Sequence, residues 1–403
     1  MLLQLLLAIL LGVFAGIFTG LIPGVHINLI SLLLVSMSGY FLGFAHPLML
    51  GVFIISMAVT HTFLDIIPSV FLGAPDADTA LAVLPGHRLL LKGMGYEAVK
   101  LATVGSLLCL CSTVAIIPFL IPVVPLIYSF IQPFIGWILI FVVVFMVLKE
   151  RGLNKKFWAI IVFFLSGILG IIVLEMPNLE QPLFGMLSGL FGISILIISL
   201  FQKTEIPKQR ITEMIKMDKK DTLKVICAGT FSGSLTALFP GLGAAQAAII
   251  GSQLVRKIKE HSFIVLVGGI NTVNFVFSLV TLLALGKARN GAVLAVLEIL
   301  KTIDLNGLIV FLCAALTAGG ISTFLAMIIT RIFAKYITKI NYQLLCISVI
   351  LLIACLVFYF SSWLGLLVLA VSTFIGMIPS FTGVKKSFAM GCLLLPVILY
   401  FIL

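Results

Sequence analysis

Long apolar runs separated by short polar clusters dominate the chain. Residues 1–64, 101–148, 225–255, 261–286, 305–330 and 340–384 contain no Asp, Glu, Lys or Arg. About 20 residues of helix cross a hydrocarbon layer of about 30 Å, so runs of this length predict membrane-spanning helices. Strands of an outer-membrane barrel alternate apolar and polar residues over short segments, and a barrel is excluded. Crossings are expected at 49–72, 101–121, 129–148, 157–174 and 183–201, and again at 262–285, 306–330, 342–360, 363–381 and 387–403, with a hairpin at the start of each half. The fold class is an all-α polytopic membrane protein of about 10–14 membrane segments.

Composition and charge sharpen this picture. Of 403 residues, 62% are hydrophobic and 10% charged, and the mean hydropathy is +1.31, which no water-soluble fold can hide. The net charge of +11 would suggest nucleic acid in a soluble chain. Here the cations fall in short clusters at 88–100, 149–156, 203–224, 256–259, 331–339 and 385–386, the pattern of cytoplasmic loops. Nucleic acid is therefore not an expected partner; the lipid bilayer is. The acidic 175–182 turn (Glu175, Glu180) and both chain ends are then expected outside, at the cytoplasmic membrane. Residues 1–22 lack a basic n-region and read as a retained first helix. The seven cysteines form no CxxC pair and read as core residues. H-E-x-x-H, G-x-S-x-G, P-loop and Rossmann motifs are all missing, so catalytic residues and a resident cofactor are not expected.

An internal repeat organises the chain. Phe14-Ala-Gly16-Ile-Phe-Thr19-Gly-Leu-Ile-Pro23-Gly24 matches Phe231-Ser-Gly233-Ser-Leu-Thr236-Ala-Leu-Phe-Pro240-Gly241 at six of eleven positions. A weaker match relates Gly73–Leu84 to Gly286–Leu297. Two halves are expected, 1–202 and 222–403, joined by a basic cytoplasmic linker at 203–221. The basic clusters give the halves opposite orientations, an inverted-topology repeat.

Pro-Gly inside an apolar segment breaks a helix and frees backbone groups, which membranes tolerate only where protein buries them or a wet cavity receives them. Paired breaks in inverted halves point to the central site of a carrier; structural kinks are the plainer alternative. The candidate substrate contacts are Thr19, Pro23, Gly24, His26 and Asn28 at the first break, and Thr236, Pro240, Gly241, Gly243 and Gln246 at the second. His61 and Asp65, on one helix face, with Asp76 and Asp78, suit Na⁺ or a proton as coupling ion, and Asp76 and Asp78 equally suit helix N-caps. No metal is expected beyond Na⁺. In the second half Asn271 and Asn274 lie near the His61 position, while Lys287 and Arg289 stand where Asp76 does. Those two cations suit a carboxylate or phosphate, or simply a loop. Glu298 and Asp304 flank Lys301 and read as interfacial ion pairs.

The Ile22-Pro-Gly24 helix end, the Gly73-Ala-Pro-Asp-Ala-Asp-Thr-Ala loop leading to Leu84-Pro-Gly-His-Arg-Leu-Leu-Leu-Lys-Gly93, and Phe239-Pro-Gly-Leu-Gly243 resemble the large membrane subunit of tripartite tricarboxylate transporters, the TctA family. The closing Ile378–Pro396 run is most similar to its shorter archaeal-type branch. The resemblance implies a secondary carrier importing citrate-like carboxylates, typically with Na⁺, alongside a small membrane subunit and an extracytoplasmic binding protein. It also implies that the two Pro-Gly loops form the substrate region. Two departures from the family pattern stand out. The chain is shorter than the citrate-importing members, and it reads Pro23-Gly-Val-His26 where Pro-Gly-x-Gly is usual. The smaller branch can therefore differ in substrate and in its need for partners. The paired breaks also resemble those of polyprenyl-phosphate translocases, which leaves a lipid-phosphate head group as the alternative cargo. Homo-oligomerisation stays open.

Overall fold

The computed structural model describes residues 2–22, 31, 34–35, 40, 43, 46–72, 80–177, 179, 182–201, 207–211, 217–239, 243–255, 258–288, 290–337 and 342–403. All regular structure among them is helical. The first half holds α1 (Leu2–Leu21), α2 (Pro47–Leu64), α3 (Ile66–Phe71), α4 (Ala80–Leu91), α5 (Gly95–Leu120), α6 (Val124–Ile131), α7 (Ile135–Leu148) and α8 (Leu153–Leu174). It closes with α9 (Pro182–Leu187) and α10 (Ser194–Phe201), joined by a π-helical turn at Ser188–Ile193. The second half holds α11 (Lys219–Leu238), α12 (Ala244–Leu254), α13 (Glu260–Leu285), α14 (Gly291–Leu300), α15 (Leu305–Tyr336), α16 (Tyr342–Thr382) and α17 (Gly391–Ile402). Eight helices among the described residues are long and apolar enough to cross a membrane, and three shorter apolar ones accompany them.

Two of the expected crossings, 342–360 and 363–381, form the single element α16. Its 41 residues would span about 60 Å if straight, twice the hydrocarbon thickness. Ser362, at φ 51° and ψ −151°, interrupts it. A Cβ on Gly365 would meet the Val357 carbonyl at 3.1 Å, although residues eight apart in a straight helix stand about 12 Å apart. The chain therefore doubles back at Ser362, and two crossings survive.

The most buried helices are α2 and α13, which cross antiparallel at the centre. α1 lies along α2, α11 lies along α13, and α5 and α15 close the core. Small residues make these approaches possible. In membranes, backbones come close where side chains are absent. A Cβ on Gly16 would fall 2.7 Å from the Met57 carbonyl, and one on Gly233 would fall 2.7 Å from Val273 Cβ. On the outer side Gly170 abuts the Cys392 carbonyl and Gly376 the Leu190 carbonyl, while Gly391 abuts Phe163 O and Gly189 abuts Leu369 O.

Helix ends follow ordinary capping chemistry. Asp304 Oδ1 accepts the Gly307 N–H at 2.8 Å and so caps α15, while Glu298 makes no ion pair with Lys301 among the described residues. The interfacial pairs expected there are absent among the described residues, and Asp304 serves as a helix cap instead. Asn290 Oδ1 caps α14 by accepting the Ala292 N–H at 2.9 Å.

Candidate functional site

The central crossing carries a buried polar seam. Asn271 Nδ2 on α13 donates to Asp65 Oδ2, at the junction of α2 and α3, over 2.7 Å. One turn away the hydroxyls of Thr62 and Thr272 stand 3.2 Å apart, and Ser322 on α15 donates to Thr60 Oγ1 at 2.9 Å. Asp65 is 3% exposed, His61 4% and Asn271 2%. Asn271 lies 11 residues after Glu260 and 14 before Leu285 on α13, about 16 Å along the axis at 1.5 Å per residue. The Asp65–Asn271 pair thus sits near the middle of the apolar layer, where a carboxylate is costly without a positive partner or a proton.

Local sequence explains how Asp65 gets there. Its backbone N–H closes the last turn of α2 on the His61 carbonyl at 2.9 Å, and its own carbonyl accepts the Ser69 hydroxyl at 2.9 Å. Pro68 follows inside α3 and lacks an N–H to continue the ladder. Gly20 on α1 packs against Leu64 and the His61 backbone, holding this turn against the first repeat motif.

The described parts of the two copies of the repeat motif share their side-chain bonding. Thr19 Oγ1 donates to the Gly16 carbonyl at 3.2 Å, and Thr236 Oγ1 donates to the Gly233 carbonyl at 2.6 Å. Both hydroxyl protons serve the helices that carry them. Gly16 and Gly233 then let those helices close on α2 and α13. Phe14 and Phe231 both face outward.

Gly251 on α12 lies against the Ser232 hydroxyl of α11, so these two helices run antiparallel. α12 starts at Ala244 after Gly243, which has extended backbone (φ −81°, ψ 171°). Ala244 and Ala247 are buried, and α12 packs against α13, the helix that carries Asn271. Pro23, Gly24, His26, Asn28, Asp76, Asp78, Pro240, Gly241 and Arg289 lie outside the described residues, as does the Gln246 side chain.

Asp65 and Asn271 are brought together, with His61 one turn from Asp65. Asn274 is half-buried, and its carbonyl accepts the Ser278 hydroxyl at 2.7 Å. Lys287 stands apart at the end of α13. Its Nζ donates to Tyr128 Oη at 3.3 Å and lies 4.8 Å from that ring's centroid. Tyr128→Leu and Lys287→Ala are each expected to lower stability by about 1 kcal/mol, and the double variant by less than their sum. Thermal melts of the four proteins in detergent check this; strict additivity would show that the contact carries no energy. Thr60, Thr62, Thr272 and Ser322 were not legible as site residues. Hydroxyls are common in apolar helices, and only helix packing shows that these four converge.

Contacts join the basic clusters on one face. Lys92 pairs with Glu260 at 3.3 Å and Lys385 with Glu150 at 2.7 Å, Lys149 donates to Gln253 Oε1, and Gln209 accepts the Gly95 N–H at 2.8 Å. Lys208 and Gln209 share a concavity with Arg331 and Lys335. α1 begins and α17 ends toward the opposite face.

The family model described as "Tripartite tricarboxylate transporter TctA family" matches residues 6–391. An uncharacterized protein of Methanocaldococcus jannaschii is 32% identical over 393 residues, covering 94% of either chain. No solved structure matches.

Proposed function

The chain belongs to the tripartite tricarboxylate transporter TctA family, and from that premise we propose that this multi-pass membrane protein is a secondary carrier. It moves a di- or tricarboxylate-like anion across the cytoplasmic membrane, coupled to Na⁺ or H⁺. The observation that carries the reading is the Asp65–Asn271 pair. A carboxylate buried near mid-layer between the two central helices, with His61 one turn away, is the kind of group that binds a coupling cation or proton in a carrier. Asp65, His61, Asp76 and Asp78 are assigned to that ion.

The anion is assigned to the breaks at Pro23-Gly24 and Pro240-Gly241. Free N–H groups at the start of α12, together with its dipole, favour negative charge there. Thr19, His26, Asn28, Thr236, Gly243, Gln246, Asn271 and Asn274 complete the region, and Lys287 and Arg289 lie at its rim. A small membrane subunit and an extracytoplasmic binding protein are its proposed partners, and the basic face is assigned to the cytoplasm.

The packing supports an inverted repeat. Under the correspondence α1 with α11, α2 with α13, α4 with α14 and α5 with α15, three packed pairs have counterparts: α1–α2 with α11–α13, α2–α15 with α13–α5, and α2–α14 with α13–α4. The contact of Gly170 with Cys392 maps on that of Gly376 with Leu190 in the same way. Alternating access then arises by movement of one part of each half against the other.

The test is uptake of labelled citrate, succinate and inorganic phosphate by proteoliposomes under imposed Na⁺ or proton gradients. Carboxylate uptake that collapses when the gradient is removed is the expected result. Gradient-independent flux would overturn the coupling. Absence of carboxylate flux, with scrambling of a short-chain prenyl phosphate, would replace the carrier with the lipid translocase.

A further inference from the structure

A cavity of about 920 Å³ opens on the basic face, within the roughly 300–1,000 Å³ range of small-molecule sites. Arg88, Lys149, Lys259, Lys385, Lys386 and Glu260 line it, so four separate clusters of the sequence converge on one concavity. Half of this charge is already engaged. Glu150 neutralises Lys385 at 2.7 Å, Lys92 neutralises Glu260 at 3.3 Å, and the Gln253 amide holds Lys149. Arg88, Lys259 and Lys386 have no carboxylate within ion-pair reach among the described residues. Lys386 is half-buried and turns inward, donating to the Ser194 hydroxyl at 2.8 Å.

Cytoplasmic loops need cations near the membrane surface, but that need does not gather them around a concavity or turn one inward without a counter-charge. The far end of α12, at Ile249, Ser252 and Gln253, forms part of the cavity wall, and the same helix packs against α13, which carries Asn271. We propose that this cavity is an anion vestibule, in which Arg88, Lys259 and Lys386 hold a soluble polycarboxylate between the aqueous phase and the central site. The identity of the anion rests on the carrier reading; the existence of the site does not. Arg88 and Lys259, with Lys386, whose burial lowers its pKa to about 7 so that it carries part of a charge at neutral pH, raise the local anion concentration roughly 10-fold, concentrating substrate beside α12.

Ser380 lines the cavity and is exposed, so Ser380→Cys reports on it directly. In a background where the exposed Cys111, Cys227, Cys313 and Cys355 are replaced by Ser, the probes are an anionic and a cationic methanethiosulfonate. The anionic reagent is expected to be favoured by about 10-fold over its preference for a free thiol. Arg88→Gln, Lys259→Gln and Lys386→Gln together should abolish the preference. If that triple variant fails to fold, the Arg88→Gln/Lys259→Gln pair, with both residues exposed, should lower it by about threefold. Citrate should slow the anionic reagent in lipid-free detergent.

A free-thiol ratio in the Ser380→Cys protein would overturn the vestibule while leaving the carrier reading to the uptake assay. Protection by anionic phospholipid nanodiscs with none from citrate would overturn the soluble-anion assignment and make this a head-group site. A retained ratio with citrate protection, in a protein that takes up no carboxylate, would support the vestibule and sink the carrier reading.

Discussion

Asp65→Asn is expected to reduce gradient-driven carboxylate uptake by roughly 100-fold, the scale of loss when a group holding a cation is removed, while leaving the folded protein intact. The substitution keeps the shape of the side chain and its capacity to bond Asn271 across 2.7 Å. It removes only the charge and the exchangeable proton. A structural role for Asp65 would survive this change, because a neutral amide in place of a buried carboxylate lowers the desolvation cost. Initial uptake rates under a Na⁺ gradient, read beside thermal melts of the two proteins, separate the cases. Unchanged uptake would remove Asp65 from the coupling site. Lost uptake with a collapsed melting temperature would show that the carboxylate charge itself, beyond the hydrogen bond to Asn271, holds α2 to α13.

The reciprocal variant adds a second reading. Asn271→Asp would set two carboxylates within hydrogen-bond distance, a pair that repels unless a proton or a cation lies between them. If the coupling cation sits here, Na⁺ should bind that variant poorly at low pH and better as the pH rises. A variant whose Na⁺ dependence does not change with pH would place the ion elsewhere.

The all-helical class and the spans were legible because a bilayer imposes a length and forbids charge, and the chain obeys both along most of its course. The gathering of the basic clusters on one face was legible for the same reason. The central pair was half legible. His61 and Asp65 stand out as ionisable residues in an apolar run, but the partner of Asp65 lies 206 positions away, and Asn271 and Asn274 are equal candidates until the rotation of α13 is known. The described parts of both copies of the repeat motif show packing, with each threonine bonded to the glycine carbonyl three residues earlier, and their contact with cargo stays a proposal. The vestibule was illegible, because four clusters meet in it only once α4, α7, α13 and the α16–α17 connection are in place.

The largest loss of stability is expected from leucine at Gly170 or Gly376. Each glycine faces a backbone carbonyl of a neighbouring helix, Cys392 for the first and Leu190 for the second, closer than any real Cβ could approach. No rotamer relieves this, since the clash begins at Cβ and the obstacle is main chain, so α8 must part from α17 or α16 from the π-helical turn. Overpacking of this kind costs about 1–3 kcal/mol and more where backbone must move. Gly320 has open space where a Cβ would stand, with no neighbouring atom within 4 Å, and should accept leucine within about 0.5 kcal/mol. The losses at Gly170 and Gly376 should also be similar in size, because the contacts correspond under the repeat. Melting temperatures in detergent for the three variants check both statements. A tolerant Gly170→Leu would show that α8 and α17 do not pack this closely, and a large difference between Gly170→Leu and Gly376→Leu would count against equivalent packing in the two halves.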